Sequence, residues 1–188
     1  MNASHRLVNH FLIAMPSLEG SYFGGTLTYM CQHNDDGALG IMINRPTDFD
    51  LATLLAQLDI EGHAAGGCQV MEGGPVSREL GFILHDNDST VAPWQSTQRV
   101  CDAISLTTSK DILVDIPNDR GPRDFLVAVG YAGWGGGQLE RELSESAWLT
   151  CPADPEIVFH APAQERVRLA ADSLGIDLNL LSGNTGIS

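Results

Sequence analysis

The chain has a single lysine, Lys110, and only ten basic residues in all against 24 acidic ones, for a formal net charge of −14 at neutral pH. Proteins that hold DNA or RNA draw much of their affinity from Lys and Arg that neutralise phosphates. Here the arginines come as isolated twos among acids, Arg120 with Arg123 and Arg166 with Arg168, and form no basic stripe interleaved with aromatics. Direct nucleic-acid binding is therefore disfavoured. Long apolar runs are missing too. Nothing approaches the roughly 18 consecutive apolar residues that a membrane span needs. The most apolar stretch near the start, Phe11 to Met15, is too short for a secretory leader and lies between His10 and Pro16.

Cysteine is scarce and scattered. Cys31, Cys68, Cys101 and Cys151 form no C-x-x-C pair, so they read as reduced thiols of a cytoplasmic protein, and a structural zinc site is not expected. Several catalytic and cofactor signatures are absent: no G-x-G-x-x-G, no lysine after the glycine run as a phosphate loop requires, no G-x-S-x-G elbow, no H-E-x-x-H and no Ser-x-x-Lys. We expect neither a cofactor nor a resident metal.

What is present is an ordinary globular composition of 188 residues, 43% hydrophobic and 18% charged. It fits one domain, 1–188, with a core of its own and a flexible tail over about 182–188. Strands are expected at His10 to Met15, Thr26 to His33 and Ala38 to Ile43, the last two joined as a hairpin across Asn34-Asp35-Asp36-Gly37. Pro46, which lacks an N–H, is expected to close the third. Asp50 caps a helix with Leu51, Leu54, Leu55 and Leu58 on one stripe. Further strands are expected at Gln69 to Glu72, Gly81 to His85, Val100 to Leu106, Phe125 to Val129, Ile157 to His160 and, at the edge, Ile176 to Leu181. The strand from Phe125 is expected to leave the sheet through the glycine-rich turn that begins at Gly130. Thr108 with Asp111 resembles a capping box before a short helix ending at Pro117. Gln138 to Leu143 has helical character, and Val167, Ala170, Ala171 and Leu174 mark a later helix ended by Gly175. Strands and short helices alternate without a βαβ period, which indicates an α+β fold.

Several blocks then carry a family likeness. Asn9 to Pro16, His33-Asn34 through Gly37 to Gly40 and on to Asn44-Arg45-Pro46, Glu72-Gly73-Gly74-Pro75-Val76, Gly81 to His85, Gly130-Tyr131-Ala132-Gly133-Trp134, Gly137 to Glu140 and Trp148-Leu149 resemble the signature blocks of the AlgH/YqgE family (UPF0301, DUF179), in order, from about Leu7 to about Leu181. The resemblance implies a single α+β domain whose bent, branching β-sheet forms a pseudo-barrel with helices packed outside. It implies no catalytic residues. Some family members carry the label of a transcriptional regulator.

The chemistry-bearing candidates are few. Cys31 and His33, two apart on a strand, should share a face, and with His85 they could assemble a metal site or a thiolate–imidazole pair. The plainer reading is a packed thiol and hydrogen-bonded histidines. Gly73-Gly74 before Pro75 could form a ligand loop or simply a turn that needs glycine. Asn44 and Arg45 could hold a carboxylate at a strand end, or Arg45 could pair with a surface acid. Trp134 beside Gly135-Gly136-Gly137 could border a pocket or pack against a structural turn. Three functions remain open: a non-enzymatic regulator acting through protein or small-ligand contacts, which the residues favour; an enzyme or thiol-responsive protein with a cleft near Cys31, His33 and His85; and a DNA-binding regulator.

Overall fold

A computed structural model describes residues 7–62, 68–87 and 94–182. Strands β1 (His10–Ala14), β2 (Leu27–Asn34) and β3 (Gly37–Met42) form an antiparallel meander. Strand β4 (Pro46–Asp50) runs straight into helix α1 (Leu51–Gln57), and β5 (Gln69–Glu72) and β6 (Val76–Asp86) follow. Next come β7 (Thr97–Arg99), β8 (Ile104–Thr107), α2 (Asp111–Asp115), the long β9 (Phe125–Gly135), α3 (Gln138–Ser144) and β10 (Trp148–Pro152). The described chain ends with α4 (Pro155–Phe159), α5 (Arg166–Asp172) and α6 (Leu178–Ser182).

The strands join in one curled sheet of order β10-β1-β2-β3-β9-β6-β8-β7, with β4 and β5 as a branch. All pairings are antiparallel except β5 with β9, which is parallel. The branch arises on β9. Its first half, Val127 to Val129, lies between β5 and β6, and its second half, Ala132 to Gly135, turns to β3. The curl makes a half-barrel with helices outside, an α+β fold as the blocks implied.

Alternation along β9 explains its unbroken apolar sequence. Leu126 and Ala128 face the barrel interior with Phe11, Tyr29, Ile41, Leu84 and Leu106. Val127 faces the opposite way, under α1 and α2, against Leu51, Leu54, Ile83, Ile112 and Leu113. Both faces are covered, so neither admits a polar residue, and each buried aliphatic side chain contributes about 1.5–3 kcal/mol. A third cluster joins Trp134 and Ala132 of β9 to Leu139 of α3, Trp148 of β10, Met30 and Leu12.

Some expectations change. The strand from Phe125 does not leave the sheet at Gly130: it continues to Gly135, because Gly130 adopts a φ of +75° and lets the strand change partners. The strand from Ala38 does close before Pro46, and Pro46 then opens β4, a first position where a missing N–H is harmless. Ile157 to His160 falls in α4, since the Asp154 side chain accepts from the Glu156 amide (3.0 Å) and Pro155 stands in the first turn. Ile176 to Leu181 holds helix α6, not an edge strand. Val100 to Leu106 is a turn into β8, closed by the amides of Val100 and Cys101 on the Ile104 carbonyl (3.0 and 3.1 Å). Thr108 caps nothing; its amide bonds to the Ser96 carbonyl (3.0 Å), and the Ser109 hydroxyl donates to Asp111 instead. The small-residue link Ala64 to Gly67 and the tail beyond Ser182 lie outside the described residues.

Candidate functional site

Cys31, His33 and His85 are not brought together. A β-bulge interrupts β2 between Met30 and Gln32. The bulge shifts the alternation by one, so residues two apart end on opposite faces. Cys31 is 1% exposed inside the barrel, and burial pushes its thiol well above the usual range. His33 pairs with Ala38 on the other face, where its Nε2–H donates to Glu140 of α3 (2.5 Å). That bond, with the Glu140 carboxylate's link to its own backbone N–H as the larger cause, holds Glu140 low. His85 lies against Trp94 in the cluster beneath α1 and α2. Its Nδ1–H donates to the Asp86 carbonyl (2.8 Å), so Nε2 accepts from the Thr107 hydroxyl (2.7 Å), which in turn accepts from Thr97 (2.8 Å). Burial lowers the His85 pKa. Both His85 ring nitrogens are occupied, whereas His33 is held through Nε2 alone and its buried Nδ1 has no hydrogen-bond partner among the described residues. Among the described residues no three His, Cys, Asp or Glu side chains are placed to hold a metal ion.

Asn44, Arg45, Gly73, Gly74 and the Trp134 strand do converge, around a chain crossing. The Gly73 amide bonds to the Val129 carbonyl and the Met42 amide to the Gly73 carbonyl, both 2.8 Å. A Cβ on Gly73 would sit 2.3 Å from the Gly130 oxygen, and one on Gly74 would sit 2.0 Å from the Tyr131 carbonyl carbon. The two glycine blocks are thus the two sides of one backbone contact. Asn44 accepts from the Leu27 amide (2.8 Å) and donates to the Gly25 carbonyl (2.9 Å). Arg45 donates to the carbonyls of Tyr22 (2.8 Å) and Gly24 (3.2 Å) and lies over the Tyr22 ring. The loop they strap down ends in Tyr22, whose hydroxyl donates to Glu72 (2.7 Å); desolvation first and the Glu72 carboxylate second push the phenol to about 12. Neighbouring Phe23 stacks on Trp134 and meets Trp148 edge-on. The indole N–H groups of Trp134 (2.9 Å) and Trp148 (2.8 Å) both donate to Glu142. The side chains of Asn44, Arg45, Tyr22, Trp134 and Trp148 are thus spent on holding the chain. Gly135 to Gly137 likewise form a structural turn, Gly137 starting α3 at a φ of +77°.

The open surface lies beside the crossing, at the barrel mouth. Two hollows, of about 420 and 310 Å³, share Gln32 and Leu39. The first is bounded by Val76, Tyr131, Gly133 and the edge of Trp134, the second by Phe82, Leu106 and the segment Gln95 to Gln98. The Gln32 and Gln98 side chains are hydrogen-bonded to each other across the mouth, and Tyr131 packs on Phe82 with centroids 5.4 Å apart. The lining is aromatic, aliphatic, amide and hydroxyl; Asp36 is the one charged residue in it among the described residues. Barrel mouths of this size are common ligand sites. Sequence reading missed Gln32, Leu39, Phe82 and Gln98, because only the curl places β2 opposite β7. Leu39, Phe82 and Tyr131 stood in the family blocks, but with no role assigned to them.

Comparison with known proteins agrees with this architecture. The family described as DUF179, AlgH-like, matches residues 11–179. A UPF0301 protein of Thioalkalivibrio sulfidiphilus is 49% identical over 187 residues, 99% of each chain, and one of Nitrosospira multiformis is 50% identical over 182 residues, 96% of each. The solution structure of the AlgH protein from Pseudomonas aeruginosa superposes with a TM-score of 0.79 at 43% identity, covering 97% of this chain and 96% of that one. A Corynebacterium diphtheriae protein of known structure shares the fold at 18% identity, with a TM-score of 0.71 over 93% of this chain and 90% of that one.

Proposed function

The chain belongs to the DUF179, AlgH-like family, and we propose that it is a non-enzymatic regulator that works by holding a protein segment or small ligand in the barrel-mouth groove. The observation that carries this reading is the dispersal of Cys31, His33 and His85 over three separate packing clusters, while the groove presents amides and hydroxyls without a nucleophile–base pair. Covalent catalysis needs a nucleophile and base within hydrogen-bond reach. The thiol that could serve is buried and held protonated. Most of the described arginines offer little to a phosphate backbone: Arg78, Arg99, Arg120, Arg123 and Arg168 lie on carboxylates, Arg45 and Arg166 are bound to carbonyls, and the exposed Arg141 is the one basic residue of its helix. No described helix is long and apolar enough to cross a membrane, and the free thiols fit work in the cytoplasm.

The test is an NMR screen of the purified protein against a library of small neutral and charged fragments, run beside a turnover panel of esters, phosphates and peptides. Shifts gathered at Gln32, Leu39, Tyr131 and Gln98 without turnover support the reading. Turnover abolished by a groove substitution overturns it.

A further inference from the structure

The groove has a wall made of free strand edge, and this narrows what it can hold. Among the described residues, strand β7 pairs only with β8, with Gln98 opposite Leu106. The Thr108 amide bonds to the Ser96 carbonyl and the Val100 amide to the Ile104 carbonyl, at 3.0 Å each. In an antiparallel ladder, bonded and outward-facing residues alternate. Ser96, Gln98 and Val100 therefore spend their main-chain groups on β8, and the N–H and C=O of Thr97 and Arg99 point away from the sheet. The groove face of this edge is the Gln98 face, since Gln98 is opposite Leu106 and both line the hollow.

Three features then agree. The free edge offers main-chain donors and acceptors at the spacing that an added strand completes. The hydrogen bond across the mouth is between two carboxamides, Gln32 and Gln98, which is the donor–acceptor pairing that a peptide group would present to either one. Beneath them Leu39, Phe82 and Leu106 make an apolar floor where an added strand's alternate side chains would point. Charge selects further. With 24 acidic residues against 10 basic ones on the chain, Asp36 the one charge in the described lining and Arg99 of β7 already on Asp102, an acidic segment meets repulsion and no cation on the groove face. We infer that the groove takes an extended, uncharged or basic polypeptide segment of another protein, added as a strand to β7 with Gln32 and Gln98 bonding its peptide groups. This rests on the binding role proposed above and names the class of ligand for the same site.

The experiment pans a random nonapeptide library over the full chain, counter-selects on a Gln32→Met, Gln98→Met double variant, and titrates the enriched sequence as a synthetic peptide by NMR. Both glutamines are partly exposed at the mouth, and an unchanged amide spectrum of the double variant shows that it still folds. The expected peptide is poor in Asp and Glu, slows hydrogen exchange at the Thr97 and Arg99 amides, and binds the double variant about tenfold more weakly or worse, since its peptide groups lose both carboxamide partners. Proline at alternate positions, which removes the peptide's donors, abolishes binding. The inference is overturned if no sequence is enriched over the double variant, if the proline peptide binds equally, or if binding leaves Thr97 and Arg99 unprotected. Fragment shifts in the groove without any enriched peptide would sink this inference and leave the binding role standing, whereas turnover would sink the role itself.

Discussion

Substituting Gly73 by alanine separates a structural crossing from a ligand loop. The added Cβ would lie 2.3 Å from the Gly130 oxygen and 3.0 Å from the Ala128 Cβ. Ordinary carbon contacts begin near 3.5 Å, so the two chains must part by roughly 1 Å. That movement acts on the bonds from the Gly73 amide to Val129 and from the Met42 amide to Gly73, which are 2.8 Å each. Leaving a buried backbone group unbonded costs about 1–3 kcal/mol, so losing this pair of bonds costs about 2–6 kcal/mol. That is a large share of the ~5–15 kcal/mol by which a domain of this kind is stable. Gly175 is the control: its φ is +69° and a Cβ there meets nothing within 4 Å, so alanine incurs only the left-handed backbone strain, about 1–2 kcal/mol. Urea unfolding followed by tryptophan fluorescence reads both. The reasoning fails if Gly73→Ala is no more damaging than Gly175→Ala. Should Gly73→Ala keep its stability and lose groove binding, the glycines would belong to a ligand loop after all.

Other perturbations follow the same logic. Arg166, 6% exposed, donates to the carbonyls of Ile157 (3.1 Å) and Ile43 with no carboxylate beside it among the described residues; Arg166→Met removes the charge but strands two acceptors, and we expect a loss of about 2–4 kcal/mol by urea unfolding, a neutral result counting against the clamp. Glu142→Leu should cost about 2–3 kcal/mol and alter near-ultraviolet circular dichroism, since both indoles lose their acceptor; an unchanged spectrum would contradict the shared bond. The histidines should titrate in opposite directions by NMR. His85, lowered by burial, stays neutral below 6.5, so its share of stability is present above that pH and lost as pH falls through it toward the folded value. His160, raised by hydrogen bonds to Asp124 and Glu156, contributes below 6.5 and loses that contribution as pH rises through its folded value; coincident midpoints would refute both environments. Finally, native Cys31 should alkylate far more slowly than in urea, because it is buried and protonated.

Legibility in the sequence tracked how local each cause was. The β2–β3 hairpin, the Asp50 cap and the apolar core of β9 are set by neighbours in sequence, and turn residues, a side-chain oxygen and an unbroken hydrophobic run disclosed them. Ile157 to Phe159 misled because three apolar residues suit strand and helix alike, and the deciding signal was the Asp154-Pro155 pair before them. The glycine blocks were visible, but their meaning was not: Gly73 and Gly130 are 57 positions apart in the sequence, and only contact between the two chains explains why neither tolerates a side chain. The expectation that Cys31 and His33 share a face failed on a single bulge, which no composition rule announces. The groove was hidden for the same reason as the crossing, since its walls come from β2, β3, β6, β7, β8 and β9.

Crossing and groove are in fact one construction. At Gly130 the strand turns from β6 toward β3, and the next residue, Tyr131, is the first to face the mouth. Its ring needs room. A Cβ on Gly133 would lie 3.1 Å from Tyr131 Cε2, so glycine two positions on the same face leaves the ring space to lie against the strand and reach Phe82. The intervening Ala132 and Trp134 point the other way, into the cluster that Glu142 and α3 close. The five-residue block from Gly130 to Trp134 thereby encodes a corner, a groove wall and a core anchor in alternation. It follows that Gly133→Ala, which touches the ring and not the crossing, should leave stability nearly intact while displacing Tyr131 and weakening whatever the groove holds. Paired urea unfolding and peptide titration decide this, and a variant that loses stability while binding normally would break the link between the two.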